Sequence, residues 1–285
     1  MRLLRRTRDF PDMEHFCFCR PWQLRVLNSE MQLTCDLSVA SSYTSPAQRA
    51  RVISECWFAS NSYCLACDSN FLQRLSPNTI ATDFSCPNCQ HCYELKTFLR
   101  RPRKSLVDGA YATLMHRISS GSAPTLCLLE RNPSWQIQSL TAVHSSFLTP
   151  WVIEERPPLG AHARRAGWIG CNIRLDRIPP DGEVKLIEGG IVFPKVEIRR
   201  RFQRFLPLAN LPVEKRGWTT LTLKVARTLG SRAFSLGDLY AKEAEFVAAY
   251  PRNRHVREKI RQQLQVLRDL GVLSFKGKGR YLIMD

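Results

Sequence analysis

The sequence predicts an α/β domain, a mixed sheet flanked by helices, followed by a C-terminal winged helix–turn–helix module. Three observations carry that expectation. Residues 31–212 mix short apolar runs of period two with helical ones, the pattern of helices packed on a sheet. Cys64-x2-Cys67 and Cys86-x2-Cys89 stand eighteen residues apart, the spacing of a four-thiolate zinc site. Residues 213–285 read helix, helix, helix, hairpin, the order of a winged helix.

The chain of 285 residues is long enough for two domains and a substantial core. Its net charge of +17 is divided unevenly. Residues 1–47 hold 6 basic and 5 acidic groups, residues 48–212 hold 21 and 13, and residues 213–285 hold 15 and 7. The excesses of +1, +8 and +8 make both expected domains basic and the leading segment nearly neutral. Anionic membranes attract such charge as well, but two basic modules suit a polynucleotide better than one charged tail does. No apolar run reaches membrane-spanning length, and the opening MRLLRRTRDF lacks the apolar core of a secretory signal. Eleven cysteines, an odd number with four in paired spacing, fit thiolate–zinc chemistry in a reducing cytoplasm better than a disulfide scaffold. Cys35, Cys56, Cys127 and Cys171 read as small buried hydrophobes.

Taken in order, residues 1–30 show no periodicity and read as a flexible extension; Cys17 and Cys19 within it have no partner pair. From Met31, the alternation of Leu33, Cys35, Leu37 and Val39 predicts a strand, and Ser45-Pro46 opens a helix through Trp57. Thr79–Phe84 and Cys92–Lys96 are the next expected strands, joined by the knuckle Cys86-Pro87-Asn88-Cys89. A basic loop, Arg100-Arg101-Pro102-Arg103-Lys104, follows as a candidate phosphate contact. Asp108–Ile118 reads as a helix with Tyr111, Leu114, Met115 and Ile118 on its apolar face; Ala123–Leu129 and Trp135–Val143 read as strands. The Gly/Pro-rich loop 156–172 carries Arg164, Arg165 and Trp168, and a Trp in that setting either wedges between base pairs or anchors the loop. After the basic cluster Arg199-Arg200-Arg201, Leu211-Pro212 reads as a linker. Trp218–Leu229 is the first helix beyond it, Ser235 caps the second with Asp238 at its third position, and Asn253 caps the third, which ends at Gly271. Val256, Ile260, Leu264 and Leu267 form the apolar face of that third helix, leaving Arg254, Arg257, Arg261 and Gln265 mostly outside it. A hairpin with the basic tip Lys276-Gly277-Lys278-Gly279 completes the wing.

Chemistry concentrates between Tyr63 and Lys96. Four thiolates leave no open coordination position, so the zinc is expected to be structural, with Cys64, Cys67, Cys86 and Cys89 as ligands and His91 and Cys92 as substitute donors. On a strand, Glu94 and Lys96 project to one side and Leu95 to the other, and Asp83 on the neighbouring strand can point at Glu94. Asp83, Glu94 and the Leu95 carbonyl can ligate Mg²⁺, a hard ion that takes oxygen donors, while Lys96 orients water and stabilises charge. Many nucleases hold a metal against a phosphodiester with this constellation.

At these residues the chain resembles the DpnI family of methyl-directed restriction endonucleases. The resemblance runs from about Met31 to the end and is carried by QRARVISECW, DGAYATLMHRI, HARRAGWIGCNI, KRGWT and HVREKIRQQLQVLRDLGVLSFKGKGRY. It implies a PD-(D/E)xK catalytic domain with a zinc site over 31–212 and a winged helix over 213–285, cutting duplex GATC methylated on adenine. It also implies Asp83, Glu94 and Lys96 as catalytic residues, Trp168 as the DNA wedge and the helix from Asn253 to Arg268 as the recognition helix. The DNA-contacting set is then Arg164, Arg165, Trp168, Trp218, Asn253, Arg254, His255, Arg257, Arg261, Lys276 and Lys278, with Zn²⁺ and Mg²⁺ as cofactors and a monomer in solution. Thr82 replaces the Pro that names the superfamily, the insert between the Cys pairs differs, and residues 1–30 have no counterpart. The competing reading is a zinc-containing winged-helix regulator, which would bind DNA but have no use for Asp83, Glu94 and Lys96 together.

Overall fold

The computed structural model describes residues 31–284 apart from 77, 78, 80 and 81. The expected extension 1–30, with Cys17 and Cys19, lies outside the described residues, as does part of the expected strand Thr79–Phe84. The segment after Met31 is not a strand. It makes a single bridge, Thr34 to Gln136, and a 3-10 turn at Ser38–Ala40. Asp36 Oδ1 accepts from both the backbone N–H and the hydroxyl of Ser38, at 2.9 and 2.6 Å, and this side-chain turn interrupts the alternation.

Helix α1 (Pro46–Asn61) begins with proline at its first turn, where the missing N–H costs nothing. It is followed by β1 (Gln73–Arg74), β2 (Phe84–Ser85), β3 (Cys92–Phe98), β4 (Ser105–Ala110), α2 (Tyr111–Ser119), β5 (Thr125–Arg131), β6 (Ile137–Val143), β7 (Ile153–Glu155), β8 (Gly170–Arg174), β9 (Glu183–Glu188), β10 (Ile191–Val192) and α3 (Lys195–Gln203). The main sheet has the order β1-β2-β3-β5-β6-β9-β10, with β3 and β5 parallel and the other pairs antiparallel. Strands β4, β8 and β7 form a second, antiparallel sheet.

Alternation along the central strands sorts the core into two layers. Cys127 and Leu129 of β5 join Tyr93 and the α1 residues Val52, Ile53 and Trp57 on one side. Leu126 and Leu128 join Leu114, Ile118 and Phe147 on the other. In-register pairing of Glu94 with Leu126 and Lys96 with Leu128 puts both polar side chains on this second side, facing the β4–β8–β7 sheet.

The run DGAYATLMHRI is not helical throughout. Asp108, Gly109 and Ala110 belong to β4, and α2 starts at Tyr111. Pairing with β8 extends past Asp108 to a bulge at Gly109, so tertiary pairing overrides the local helical pattern.

The C-terminal elements are α4 (Val213–Thr228), β11 (Ala233–Ser235), α5 (Leu236–Tyr240), α6 (Glu243–Ala249), α7 (Val256–Asp269), β12 (Leu273–Phe275) and β13 (Arg280–Ile283). The expected Ser235 cap forms a full capping box with Asp238. Helix α6 and strand β11 were not foreseen. Nor does Asn253 cap α7: His255 holds that position, and Asn253 Oδ1 accepts the His255 N–H at 2.8 Å, turning the chain into the helix. Leu211-Pro212 leads straight into α4 without a gap in packing. Phe147, Leu148, Trp218 and Leu221 share one continuous core, Arg216 donates to the Ile118 carbonyl at 2.9 Å, and Arg227 pairs with Asp181. Gly217 in mid-helix has a reason: a Cβ there would collide with the Tyr250 hydroxyl.

Candidate functional site

The four cysteines converge as their spacing requires. All four Sγ atoms lie within 4.8 Å of one another, with Cys64–Cys89 and Cys67–Cys86 at 3.5 Å. A tetrahedral ion with bonds of about 2.3 Å to sulfur needs sulfur separations of about 3.8 Å, so the donor set fits Zn²⁺ in both chemistry and size. The tight knuckle is shaped by Gln90 at φ 59°, which returns its N–H to the Cys86 carbonyl at 2.9 Å. Burial pushes the Cys86 thiol up, but N–H groups of Cys89 and Asn88 outweigh this and hold it at about 7, favouring the thiolate. Tyr93 accepts the Leu65 N–H at 2.9 Å and turns its hydroxyl to Cys64 Sγ at 3.3 Å. Arg199 of α3 binds the Cys64 and Ser69 carbonyls, so this member of the basic cluster braces the Cys64–Cys67 arm of the thiolate group. His91 and Cys92 are not part of the group. His91 Nε2 contacts Thr125 Oγ1 at 2.8 Å, and Cys92 points at the Gln90 carbonyl.

Strand β3 carries the second centre away from this clamp. Asp83 sits at the bend before β2; its N–H donates to the Tyr93 carbonyl at 3.0 Å, and its Oδ2 accepts the Leu95 N–H at 2.8 Å. Arg117 of α2 holds Thr82, the residue in the proline position, at 2.5 Å. Glu94 is only 7% exposed, and its Oε1 lies 2.6 Å from Lys96 Nζ. Its Oε2 is buried with no partner among the described residues. Burial raises the Glu94 carboxyl above its usual range; Lys96 opposes the rise, and Asp108 and Asp83 add to it. An orphaned, desolvated carboxylate oxygen beside a second carboxylate suits a hard divalent cation. The Lys96 ammonium loses hydration, yet Glu94 and Asp108 more than compensate and raise it above the ordinary lysine value.

Asp108 was missed because its segment read as helix. It lies 2.6 Å from Lys96 Nζ and is 6% exposed as a side chain. The β-type run Ser105-Leu-Val ahead of it was the available signal. Its partner across the strands, Cys171, follows Gly170, on which the Trp168 indole rests: a Cβ at Gly170 would come within 2.8 Å of two ring carbons. Arg165 covers the indole at 4.9 Å, and Arg156 Nη1 lies over the same glycine. Trp168 is thus half-buried and lies against its own loop, with Arg164 exposed beside it.

Most residues of the expected DNA face lie at the surface. Arg254, His255, Arg257 and Arg261 are exposed on or just before α7, and Lys276 and Lys278 are exposed at the wing tip. Arg257 pairs with Glu243 at 2.9 Å and Arg261 with Glu258 at 3.5 Å, surface contacts worth at most about 1 kcal/mol and open to exchange. Trp218 is not on this face. It is 1% exposed and stacks on Tyr250 at 4.3 Å, because helical spacing from Leu221 and Val225 turns it inward. In the basic loop, Arg101 is tied to Glu183 at 2.7 Å and Thr141 at 3.0 Å, whereas Arg100, Arg103 and Lys104 are exposed.

No helix among the described residues is long and apolar enough to cross a membrane. The family model described as DpnI, Dam-replacing family, matches residues 31–211, and that of the Dam-replacing helix–turn–helix domain matches residues 214–282. A four-cysteine centre, a mixed sheet carrying the buried Glu94 and a DNA-binding helix–turn–helix lie within those matches, and the chain belongs to the Dam-replacing (DpnI) family.

Proposed function

We propose that this protein is a restriction endonuclease that hydrolyses duplex DNA at adenine-methylated, GATC-like sites, using Mg²⁺ at Asp83 and Glu94 and a structural Zn²⁺ at the four cysteines. The observation that carries the reading is the desolvated Glu94–Lys96 pair with Glu94 Oε2 left unpartnered. A DNA-binding regulator gains nothing from burying an unpaired carboxylate oxygen, which costs about 1–3 kcal/mol or more.

The cation would be held by Asp83, Glu94 and the Leu95 carbonyl, and when bound would polarise the scissile phosphate and acidify a water. Asp83 is oriented for this by the Leu95 N–H, and the Tyr93 hydrogen bond keeps its backbone at the strand end. Lys96 places a positive charge beside Glu94, where it can orient the attacking water and offset charge on the phosphate oxygens. The zinc knuckle fixes the β2–β3 turn on which Asp83 and Glu94 both depend. Helix α7 supplies Arg257 and Arg261 to the major groove and the turn leading into it supplies Asn253, Arg254 and His255, the wing supplies Lys276 and Lys278, and Arg164, Arg165 and Trp168 approach from the catalytic domain. A methyl on the adenine exocyclic amine projects into the major groove, where an apolar contact favours it by about 1 kcal/mol or more.

The test is incubation of the purified protein and Mg²⁺ with plasmid from methylating and non-methylating hosts. Cleavage confined to methylated plasmid is expected, lost in Asp83→Asn, which keeps an acceptor for the Leu95 N–H and retains DNA binding. Binding without cleavage of either plasmid would favour the regulator instead.

A further inference from the structure

We infer that Asp108 is a positioning residue for Lys96, and that by sharing the ammonium it leaves Glu94 available to a divalent cation. The inference rests on the nuclease reading above. Lys96 Nζ sits midway between two carboxylates, 2.6 Å from Glu94 Oε1 and 2.6 Å from Asp108 Oδ1. The two acids reach it from different sheets. Glu94 rises from β3 of the main sheet, and Asp108 comes from β4, pinned opposite Cys171 by the register that precedes the Gly109 bulge.

A half-buried ammonium paired with one carboxylate is a closed couple. A cation that recruited Glu94 would strand Lys96 with its charge partly desolvated and unpaired. In a site holding only Lys96 and Glu94, lysine and cation would therefore compete for one carboxylate. Asp108 removes the competition, because Lys96 keeps a partner when Glu94 turns away. The charges agree: Asp83, Glu94 and Asp108 against Lys96 leave two negative charges, the complement of one divalent ion. Asp108 is not itself placed as a third ligand. Among the described residues only the four cysteines bring three or more such donor atoms within 4.8 Å of one another.

The experiment measures Mn²⁺ binding by calorimetry and by the Mn²⁺ spin resonance signal, on the full-length zinc-loaded chain without DNA. Wild type is compared with Asp108→Asn, Lys96→Met and the double variant. Asp108→Asn is expected to weaken Mn²⁺ binding about tenfold, and to do so less than about threefold in the Lys96→Met background, since no ammonium then contests Glu94. An equal loss in both backgrounds would make Asp108 a ligand or a remote charge, and no loss in either would make it purely structural; both overturn the inference. Asp108→Glu provides a second test, independent of whether the neutral variant folds. It keeps the charge but displaces it by one methylene, so Mn²⁺ affinity should hold while kcat on methylated DNA falls at unchanged KM. An unchanged kcat in folded Asp108→Glu would rule out positioning. If wild type bound no Mn²⁺, or Glu94→Gln left its binding intact, the nuclease reading itself would fall.

Discussion

Replacing Trp218 with Ala should unfold this protein at a lower temperature without touching its DNA surface. The indole is 1% exposed, stacked on Tyr250 at 4.3 Å and 14° and on Phe246 at 6.2 Å and 11°. Burying a Trp removes about 200 Å² from water, worth about 5 kcal/mol at about 25 cal/mol per Å². One term lowers the net loss: the indole N–H has no partner among the described residues, so its removal returns a desolvation cost of about 1–3 kcal/mol. A net loss of about 2–4 kcal/mol remains, which at about 2–4 °C per kcal/mol lowers Tm by about 4–16 °C. Trp218 and Leu221 share their cluster with Phe147 and Leu148, so both modules should melt together at the lower temperature. Circular dichroism melts give the shift, and fluorescence anisotropy with methylated duplex, well below the transition, gives the affinity. An unchanged melt with lost DNA binding would refute the core assignment and return Trp218 to the recognition surface.

Three further outcomes follow from the geometry. Cys67→Ser should give an insoluble or misfolded catalytic domain, because a structural zinc contributes about 10–16 kcal/mol, as much as the whole stability of a typical domain; a soluble, fully active variant lacking zinc by elemental analysis would contradict it. Trp168→Ala should leave Tm nearly unchanged, as the side chain is half-buried in a loop, yet weaken binding of methylated duplex by about 1–3 kcal/mol of lost stacking; equal affinities in a filter-binding titration would show that Trp168 only anchors its loop. His144 is fully buried, and burial, with His91 and Arg216 adding to it and the Phe202 backbone opposing it, lowers its pKa to about 3. The unfolded chain then binds the extra proton, so stability should be level above about pH 6.5 and fall by up to about 1.4 kcal/mol per unit as pH drops toward 3. His144→Phe, despite losing the acceptor for the Ser146 N–H, should show a shallower acid limb in denaturant titrations; identical slopes would exclude His144 as a source.

Local chemistry was legible before the fold was. The Cys-x2-Cys pairs announced their cluster because both ends of a knuckle are fixed by a few residues of chain, and Glu94 and Lys96 shared a face because a strand alternates. The capping box at Ser235 and Asp238 was readable for the same reason. Segments whose structure depends on a distant partner misled. Asp108 looked helical until β8 claimed it, the run after Met31 alternated without finding a strand to pair with, and Trp218, expected among the DNA contacts, is covered by Tyr250.

The residue order alone therefore determined the donor types, the zinc spacing, the Asp83 and Glu94-x-Lys96 pattern and the winged arrangement of the C-terminal elements. Tertiary structure decided that a carboxylate from a second sheet meets Lys96, that Trp168 lies on Gly170, and that Leu211-Pro212 bridges one shared core. The physical reason is range. Periodicity and ligand spacing act within a few residues, whereas a contact between Lys96 and Asp108 depends on the bulge and register of a strand pair closed more than sixty residues further along at Cys171.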